Sequence, residues 1–310
     1  MAEQNTKIEL NAVIVAVPTL AGPSLAGGEP QILIDPNTAL PSGPFETSHR
    51  TLEQGLREWA QTKGGQPLGY VEQLYTFADR DRATGQQRYV SIGYLALVRA
   101  ATTLKDAVWS PWYKHFPWED HRRGMPAVIA KNILPALNKW KAAAPNAAAK
   151  RDRAQRIAIA FPQDKKNWNE ELVLQRYELL WEAGLAAETQ KRAAAKKADN
   201  TTGVAMAHDH RRILATAIAR LRAKIKYRPV VFELMPDVFT LLQLQSTVEA
   251  LAGLRLHKQN FRRLVESQGL VEETGAMTRG ASGRPAKLFA FRRDVLVERA
   301  AAGTKLPRSG

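Results

Sequence analysis

The segment Tyr227–Arg293 decides the fold, and it divides into four runs: YRPVVFELMPDVF (227–239), TLLQLQSTVEALAG (240–253), LRLHKQNFRRLVESQG (254–269) and LVEETGAMTRGASGRPAKLFAFRR (270–293). The first run carries Val230-Val231-Phe232-Glu233-Leu234, which suits a short strand. In the second, Thr240 supplies a hydroxyl at a helix N-cap and Gln243 an amide three residues on, the pattern of a capping box. Leu241, Leu244, Val248 and Leu251 then recur at helical spacing, and Gly253 offers the left-handed C-cap. In the third run His257 to Gln268 predicts a second short helix stopped by Gly269, with Phe261, Leu264 and Val265 on its apolar face.

Lys258, Gln259, Asn260, Arg262 and Arg263 leave that second helix as rows of hydrogen-bond donors, which is what a helix entering a major groove needs. Two strand-like runs follow, Leu270–Thr274 and Lys287–Phe291, around a glycine-rich tip holding Arg279 and Arg284. Glycines permit a hairpin turn there and the arginines give it the charge of a wing lying along phosphates. Helix, turn, helix and basic hairpin in this order make a winged helix-turn-helix. Lys258, Gln259 and Arg262 are expected to reach base edges, and Arg263, Arg279 and Arg284 to meet phosphates. One head makes few base contacts, so a homodimer on an inverted repeat of double-stranded DNA is expected.

Charge supports a polyanionic partner. The 310-residue chain has a formal net charge of +15. Residues 1–150 hold 16 Lys and Arg against 13 Asp and Glu, whereas residues 151–310 hold 29 against 17, so the excess sits in the second half. There is no cysteine, which excludes disulfides, thiolate zinc sites and cysteine nucleophiles. No basic, apolar leader opens the chain and no run approaches eighteen apolar residues, so a cytoplasmic setting away from the membrane is expected.

Working back towards the N-terminus, Ile8–Val17 and Ile32–Ile34 predict strands of a hairpin, Arg50–Gln61 a helix with Leu52, Leu56 and Trp59 on one side, and Tyr70–Phe77 and Tyr89–Val98 two more strands. The loop between the last two is Ala78-Asp79-Arg80-Asp81-Arg82-Ala83-Thr84-Gly85. Residues 109–121, WSPWYKHFPWEDH, concentrate aromatic side chains. His115, Glu119, Asp120 and His121 there match no zinc spacing, and interior packing with loop anchoring is the better reading. Lys141–Arg156 and Ala186–Gly203 are alanine-rich basic tracts, read as helix ends and linkers with solvated charge. They flank a helical block, Trp168–Leu185, whose apolar stripe suits either core or a subunit interface. Asp209 is placed to cap a helix running to Tyr227, with Ile213, Leu214, Ala217, Ile218, Leu221 and Ile225 inward. Arg211, Arg212, Arg220, Arg222, Lys224 and Lys226 fall on its opposite face.

The order Leu-Pro-x-Gly, helix, Leu-Tyr-Thr-Phe-x-Asp-Arg-Asp-Arg, then Ser91–Val98 resembles the Nudix hydrolase fold. Laid on the family's box G-x5-E-x7-R-E-U-x-E-E-x-G-U, Gly43, Arg57, Glu58, Trp59 and Gly64 fall in register. His49, Gln61 and Thr62 stand where glutamates belong, and Gly65 replaces the final aliphatic residue. Pyrophosphate hydrolysis in that family needs divalent cations held by several carboxylates. Glu58 alone cannot hold them, so no catalytic and no metal residues are assigned. A rebuilt site drawing on Asp79 or Asp81 is the competing reading: a metal-dependent pyrophosphohydrolase acting on ADP-ribose or NAD-like substrates, its basic tail binding nucleic acid. A plain DNA-binding protein with the pocket as scaffold is a third.

A degenerate Nudix domain joined to a winged helix resembles the Nudix-related transcriptional regulators of NAD metabolism, the NrtR-like group, and the helical insertion resembles their alphaproteobacterial NadQ-type branch. The motifs that carry this are Trp168–Leu185, Asp209-His210, Tyr227–Leu234, Phe239-Thr-Leu, Asn260-Phe-Arg-Arg263 and Gly283-Arg-Pro-Ala286, and they span most of the chain. The resemblance implies an α+β chain. A mixed-sheet α/β/α sandwich spans residues 1–227 with an insertion over about 122–207, and the winged helix spans 228–310. It further implies a homodimeric repressor of NAD biosynthesis genes that requires no cofactor and responds to an adenine nucleotide, ADP-ribose or an NAD-related effector. Arg57, Glu58, Phe77, Asp79, Arg80 and Arg82 are the candidate effector contacts. In that arrangement adenine stacks on Phe77, and Arg80 and Arg82 hold phosphates; pairing of both arginines with Asp79 and Asp81 is the alternative.

Overall fold

The computed structural model describes residues 6–18, 28–64, 68–78, 88–99, 107–189, 202–278 and 285–294. A central strand, β1 (Thr6–Ala16), runs parallel to β5 (Arg88–Leu97) over its whole length, from Thr6 beside Arg88 to Val15 beside Leu97. The sheet order is β4 (Tyr70–Phe77), β5, β1, β2 (Gln31–Ile34) and β6 (Val108–Pro111), with every pairing but β1–β5 antiparallel. The short β3 (Ser42–Pro44) pairs with β1 at Glu9–Asn11. Both faces of β1 are covered, which is why it reads as one apolar run. Leu10, Ala12, Ile14 and Ala16 meet Leu56 of helix α1 (Leu52–Gly64). Val13, Val15 and Val17 share a second cluster with Ile213, Leu214 and Ile218 of a long helix, here α6 (His210–Tyr227). The result is the expected mixed-sheet α/β/α sandwich.

Between β6 and α6 the chain is largely helical. A short helix α2 (Trp112–His115) leads into a π turn at Ile129–Ile133, then α3 (Leu134–Ala142), α4 (Ala147–Ala160) and α5 (Val173–Glu182). The tract Lys141–Arg156 is therefore not a linker. Alanine has the highest helix propensity, and Asn146 caps α4 by accepting from the Ala149 N–H at 2.8 Å. Of the second tract, residues 190–201 lie outside the described residues.

Two further expectations are corrected. Val230–Leu234 is a 3-10 turn, not a strand. Pro229 constrains its entry, and Val230, Val231, Phe232 and Leu234 are all buried, which a tight turn in a core corner allows and a strand with one solvated face does not. On α6, Arg211 and Arg222 are buried instead of facing solvent, for reasons given below. Asp209 does occupy the N-cap, but its side chain makes no capping bond.

The C-terminal part holds β7 (Val238–Phe239), α7 (Leu241–Ala252), α8 (Lys258–Ser267), β8 (Val271–Met277) and β9 (Lys287–Phe291), with β9 between β7 and β8 in a three-stranded antiparallel sheet. Leu244, Leu251, Phe261, Val265 and Phe289 of this part belong to the same apolar cluster as Leu221 of α6 and Trp112 of α2. The two halves of the chain thus share one core.

Candidate nucleic-acid interface and effector pocket

The candidate DNA-reading unit, α7 with α8 and called the reader below, begins with the capping box as expected. The Thr240 Oγ1 accepts from the Gln243 N–H at 3.2 Å, and the Gln243 Oε1 accepts from the Thr240 N–H at 2.8 Å. Gly253 ends α7 at φ 71° and Gly269 follows α8 at φ 58°. On α8 only Phe261 and Val265 are buried; Leu264, expected inward, is 52% exposed. Residues on a helix step by about 100°, so two inward side chains at 261 and 265 fix the rest. Arg263 lies at the pole opposite them, flanked by Gln259 and Ser267, with Asn260 and Glu266 beyond. Arg262 and Leu264 sit about 100° away, on opposite flanks of the helix. Lys258, Gln259, Asn260, Arg262 and Arg263 are exposed and make no hydrogen bond or ion pair among the described residues. Val271–Met277 and Lys287–Phe291 form the wing strands; Arg279 and Arg284, at its tip, lie outside the described residues.

The reader is seated on the rest of the molecule through the last carbonyls of α7, which a helix leaves without intrahelical donors. Tyr113 Oη donates to Ala250 O at 2.6 Å, Arg222 Nε to Leu251 O at 2.9 Å, and the His121 N–H to Gly253 O at 2.7 Å. A Cβ at Gly253 would stand 2.3 Å from Glu119 O, so the approach requires glycine for space as well as for its positive φ. Behind this contact Glu119 is buried between two arginines, bonded to Arg176 Nε and Arg222 Nη1 at 2.5 Å each. Burial alone would raise the Glu119 carboxyl, but the two guanidinium charges outweigh it and hold it below the ordinary range. Arg211 is likewise enclosed, donating to Glu188 and to His115 O.

This network explains the aromatic stretch. His115 and His121 are buried, one bonded through Nδ1 to Val204 O at 2.9 Å, the other through Nε2 to Trp118 O at 3.1 Å and lying 3.9 Å from the Trp168 ring. Burial pushes both imidazoles down to about 4. They pack and anchor, as the sequence reading holds. The buried arginines it missed had a signal: Arg211, Ala215, Ile218 and Arg222 repeat at i, i+4, i+7 and i+11, one stripe of α6, and all four are buried.

In the sandwich, Gly43 lies under Trp59, whose Cδ1 would be 2.4 Å from any Cβ at position 43. Arg57 donates to Glu53 at 2.9 Å, to Leu68 O at 2.8 Å and to Gly69 O at 3.2 Å, and so ties α1 to the approach of β4. Glu58 accepts from Gln54 Nε2 at 2.6 Å and lies 3.8 Å from His49 Nε2. His49 Nδ1 accepts a hydrogen bond from the Glu46 N–H. This donor set does not fit a pair of hard divalent cations. Among the described residues no three His, Asp or Glu side chains come together as metal ligands. Phe77 is 3% exposed, with Arg212 5.9 Å from its ring and Tyr75 edge-on at 5.6 Å. Tyr75 beside it is 65% exposed. Asp79, Arg80 and Arg82 lie outside the described residues, as does the side chain of Thr62.

Comparison with known proteins agrees with this anatomy. Residues 231–291 match the NrtR DNA-binding winged helix domain family. A curated protein of Acinetobacter baylyi, the ADPR responsive transcriptional repressor NtrR, is 42% identical over 86 residues, which cover 28% of this chain and 34% of that protein. Among solved structures, Shewanella oneidensis NrtR complexed with a 27mer DNA aligns over 94% of this chain and 95% of its own at TM-score 0.53 and 19% identity. A MutT/nudix family protein from Enterococcus faecalis aligns over 94% and 89% at TM-score 0.52 and 14% identity. No helix among the described residues is long and apolar enough to cross a membrane. The chain therefore shares the fold of these solved structures, and its residues 231–291 match the NrtR DNA-binding winged helix domain family.

Proposed function

We propose that this protein is a transcriptional repressor of NAD biosynthesis genes that binds operator DNA as a homodimer and is controlled by an adenine-containing, ADP-ribose-like effector in a Nudix-type pocket that does not hydrolyse it. The observation that carries the reading is α8. It has an inward face of two residues, an outward face of uncommitted donors, and a capped helix and a hairpin on either side. The family match over 231–291 and the name of the Acinetobacter relative support DNA and ADP-ribose respectively. Misplaced box residues at 49 and 61, together with an occupied Glu58, support binding without hydrolysis. The effector's phosphates would lie by residues 79–82, with adenine meeting exposed Tyr75 in place of Phe77.

We read Arg263, Gln259 and Asn260 as the base-reading side chains in place of Lys258, Gln259 and Arg262, with Arg262 and Lys258 meeting phosphates, because the first three lie farthest round the helix from the buried pair Phe261 and Val265. The test is to select binding duplexes from a random pool and then compare variants on a selected and a scrambled duplex. Arg263→Ala is expected to cost about 1 to 3 kcal/mol on the selected duplex and little on the scrambled one. Arg262→Ala is expected to weaken both alike and to flatten the salt dependence by about one unit. Equal losses from Arg263→Ala on both duplexes would show that α8 holds DNA without reading it.

A further inference from the structure

The insertion has a shape and a charge that the sandwich and the reader leave unexplained. From the π turn through α3 the chain runs outward for about 20 Å at a helical rise, turns at Ala143–Asn146, and returns as α4. No residue from Asn138 through Arg156 is buried, yet nearly all are helical. They form a projecting hairpin. Residues 122–156 contain nine arginines and lysines against a single acid, Asp152. Some of these charges are committed: Arg122 to Asp120, Arg156 to Asp152 and Glu182, and Arg153 to the Trp140 face 4.1 Å away. Arg123, Lys131, Lys139, Lys150 and Arg151 are exposed and have no hydrogen bond or ion pair among the described residues.

The root of this arm touches the reader. The His121 N–H is bonded to Gly253 O, and Arg255 Nε donates to Arg122 O at 3.3 Å. Gly253–Arg255 is the turn that delivers the chain to α8. We infer that the α3–α4 hairpin is an auxiliary DNA clamp, contacting backbone phosphates that flank the site read by α8. This rests on the proposed DNA-binding function and assigns the insertion a role within it. The chemistry favours a polyanion over a protein partner. Apart from cations, the surface from Lys141 to Arg156 is alanine, with one proline and a few small polar residues, and it offers none of the aromatic or aliphatic anchors that carry protein interfaces. Contacts of this kind carry no sequence information; they add affinity and salt dependence.

The experiment compares wild type, the triple variant Lys139→Glu/Lys150→Glu/Arg151→Glu, its milder form with glutamines, and Arg263→Ala. Each is titrated with salt on a minimal selected duplex and on the same duplex with flanks of about 10 base pairs, longer than the ~20 Å arm. The triple variants are expected to bind the flanked duplex tenfold or more weakly, with a salt slope shallower by roughly 0.9 for each phosphate no longer neutralised, and to match wild type on the minimal one. Wild-type affinity and slope on the flanked duplex would overturn the inference. So would loss of binding to phosphatidylserine vesicles with DNA binding unchanged, which would make the arm a membrane contact. Arg263→Ala separates the two readings. If it binds DNA like wild type while the triple variants fail, the reader assignment falls and the clamp stands; if it fails while they do not, the reverse holds.

Discussion

At the residue scale, buried ionisable groups make this protein sensitive to acid. His115 and His121 are held at about 4 by burial, against an ordinary 6.5. Between those values the unfolded chain binds protons that the folded chain refuses, so stability is complete above pH 6.5 and falls as the pH drops towards 4. The loss is on the order of 3 kcal/mol per ring. Glu119, whose pKa is depressed by Arg176 and Arg222, extends the loss: its contribution is present above the unfolded carboxylate pKa and disappears as the pH falls through the lower folded value. Thermal unfolding from pH 7 to pH 5 should show a falling melting temperature, and His121→Phe should flatten the trend. A variant with the wild-type slope would remove His121 from the account. The packing role of the two histidines was legible in the sequence, because their spacing with Glu119 and Asp120 matches no zinc pattern; the depressed pKa values were not, because they come from the side chains that enclose the rings.

Elements were more legible than residues, and for a physical reason. Caps, glycine stops and helical periodicity are local, so Thr240, Gln243, Gly253 and Gly269 set the ends of α7 and α8 as read from sequence. Misreadings fell where tertiary partners overrule local pattern: the apolar 230–234 run folded as a 3-10 turn because a core corner receives it, and Leu264 stayed outside because two residues suffice to seat α8. Most of the non-local information concerns the joint, where the carbonyl end of α7 is capped by Tyr113, His121 and Arg222. Arg222→Met leaves Leu251 O without its donor and Glu119 with Arg176 alone. Breaking a buried ion pair at one partner costs about 3 kcal/mol or more, so a large drop in melting temperature is expected, with faster amide exchange along α7. Unchanged melting would show that the network is not what seats the reader.

For the whole molecule, one apolar cluster runs from the sandwich through α6 into the C-terminal part and joins the two. An effector that changes how α6 and the 113–122 segment pack has a direct mechanical path to α7, and α8 follows from the turn at Gly253–Arg255. The sandwich itself is expected to bind without turnover. Incubated with ADP-ribose and Mg²⁺ or Mn²⁺, the protein should leave the nucleotide intact; hydrolysis at roughly one per second or faster that Glu58→Gln abolishes would establish an enzyme instead. The same incubation should raise the melting temperature, since a ligand that binds the native state stabilises it by mass action.

Control of DNA binding by the effector is tested most directly by measuring affinity for a selected duplex by fluorescence anisotropy, with and without saturating ADP-ribose, and assaying the nucleotide afterwards. The account predicts a change of about tenfold or more, a coupling of roughly 1.4 kcal/mol, with ADP-ribose recovered unchanged. An identical affinity in its presence and absence, although the nucleotide is bound, would contradict it.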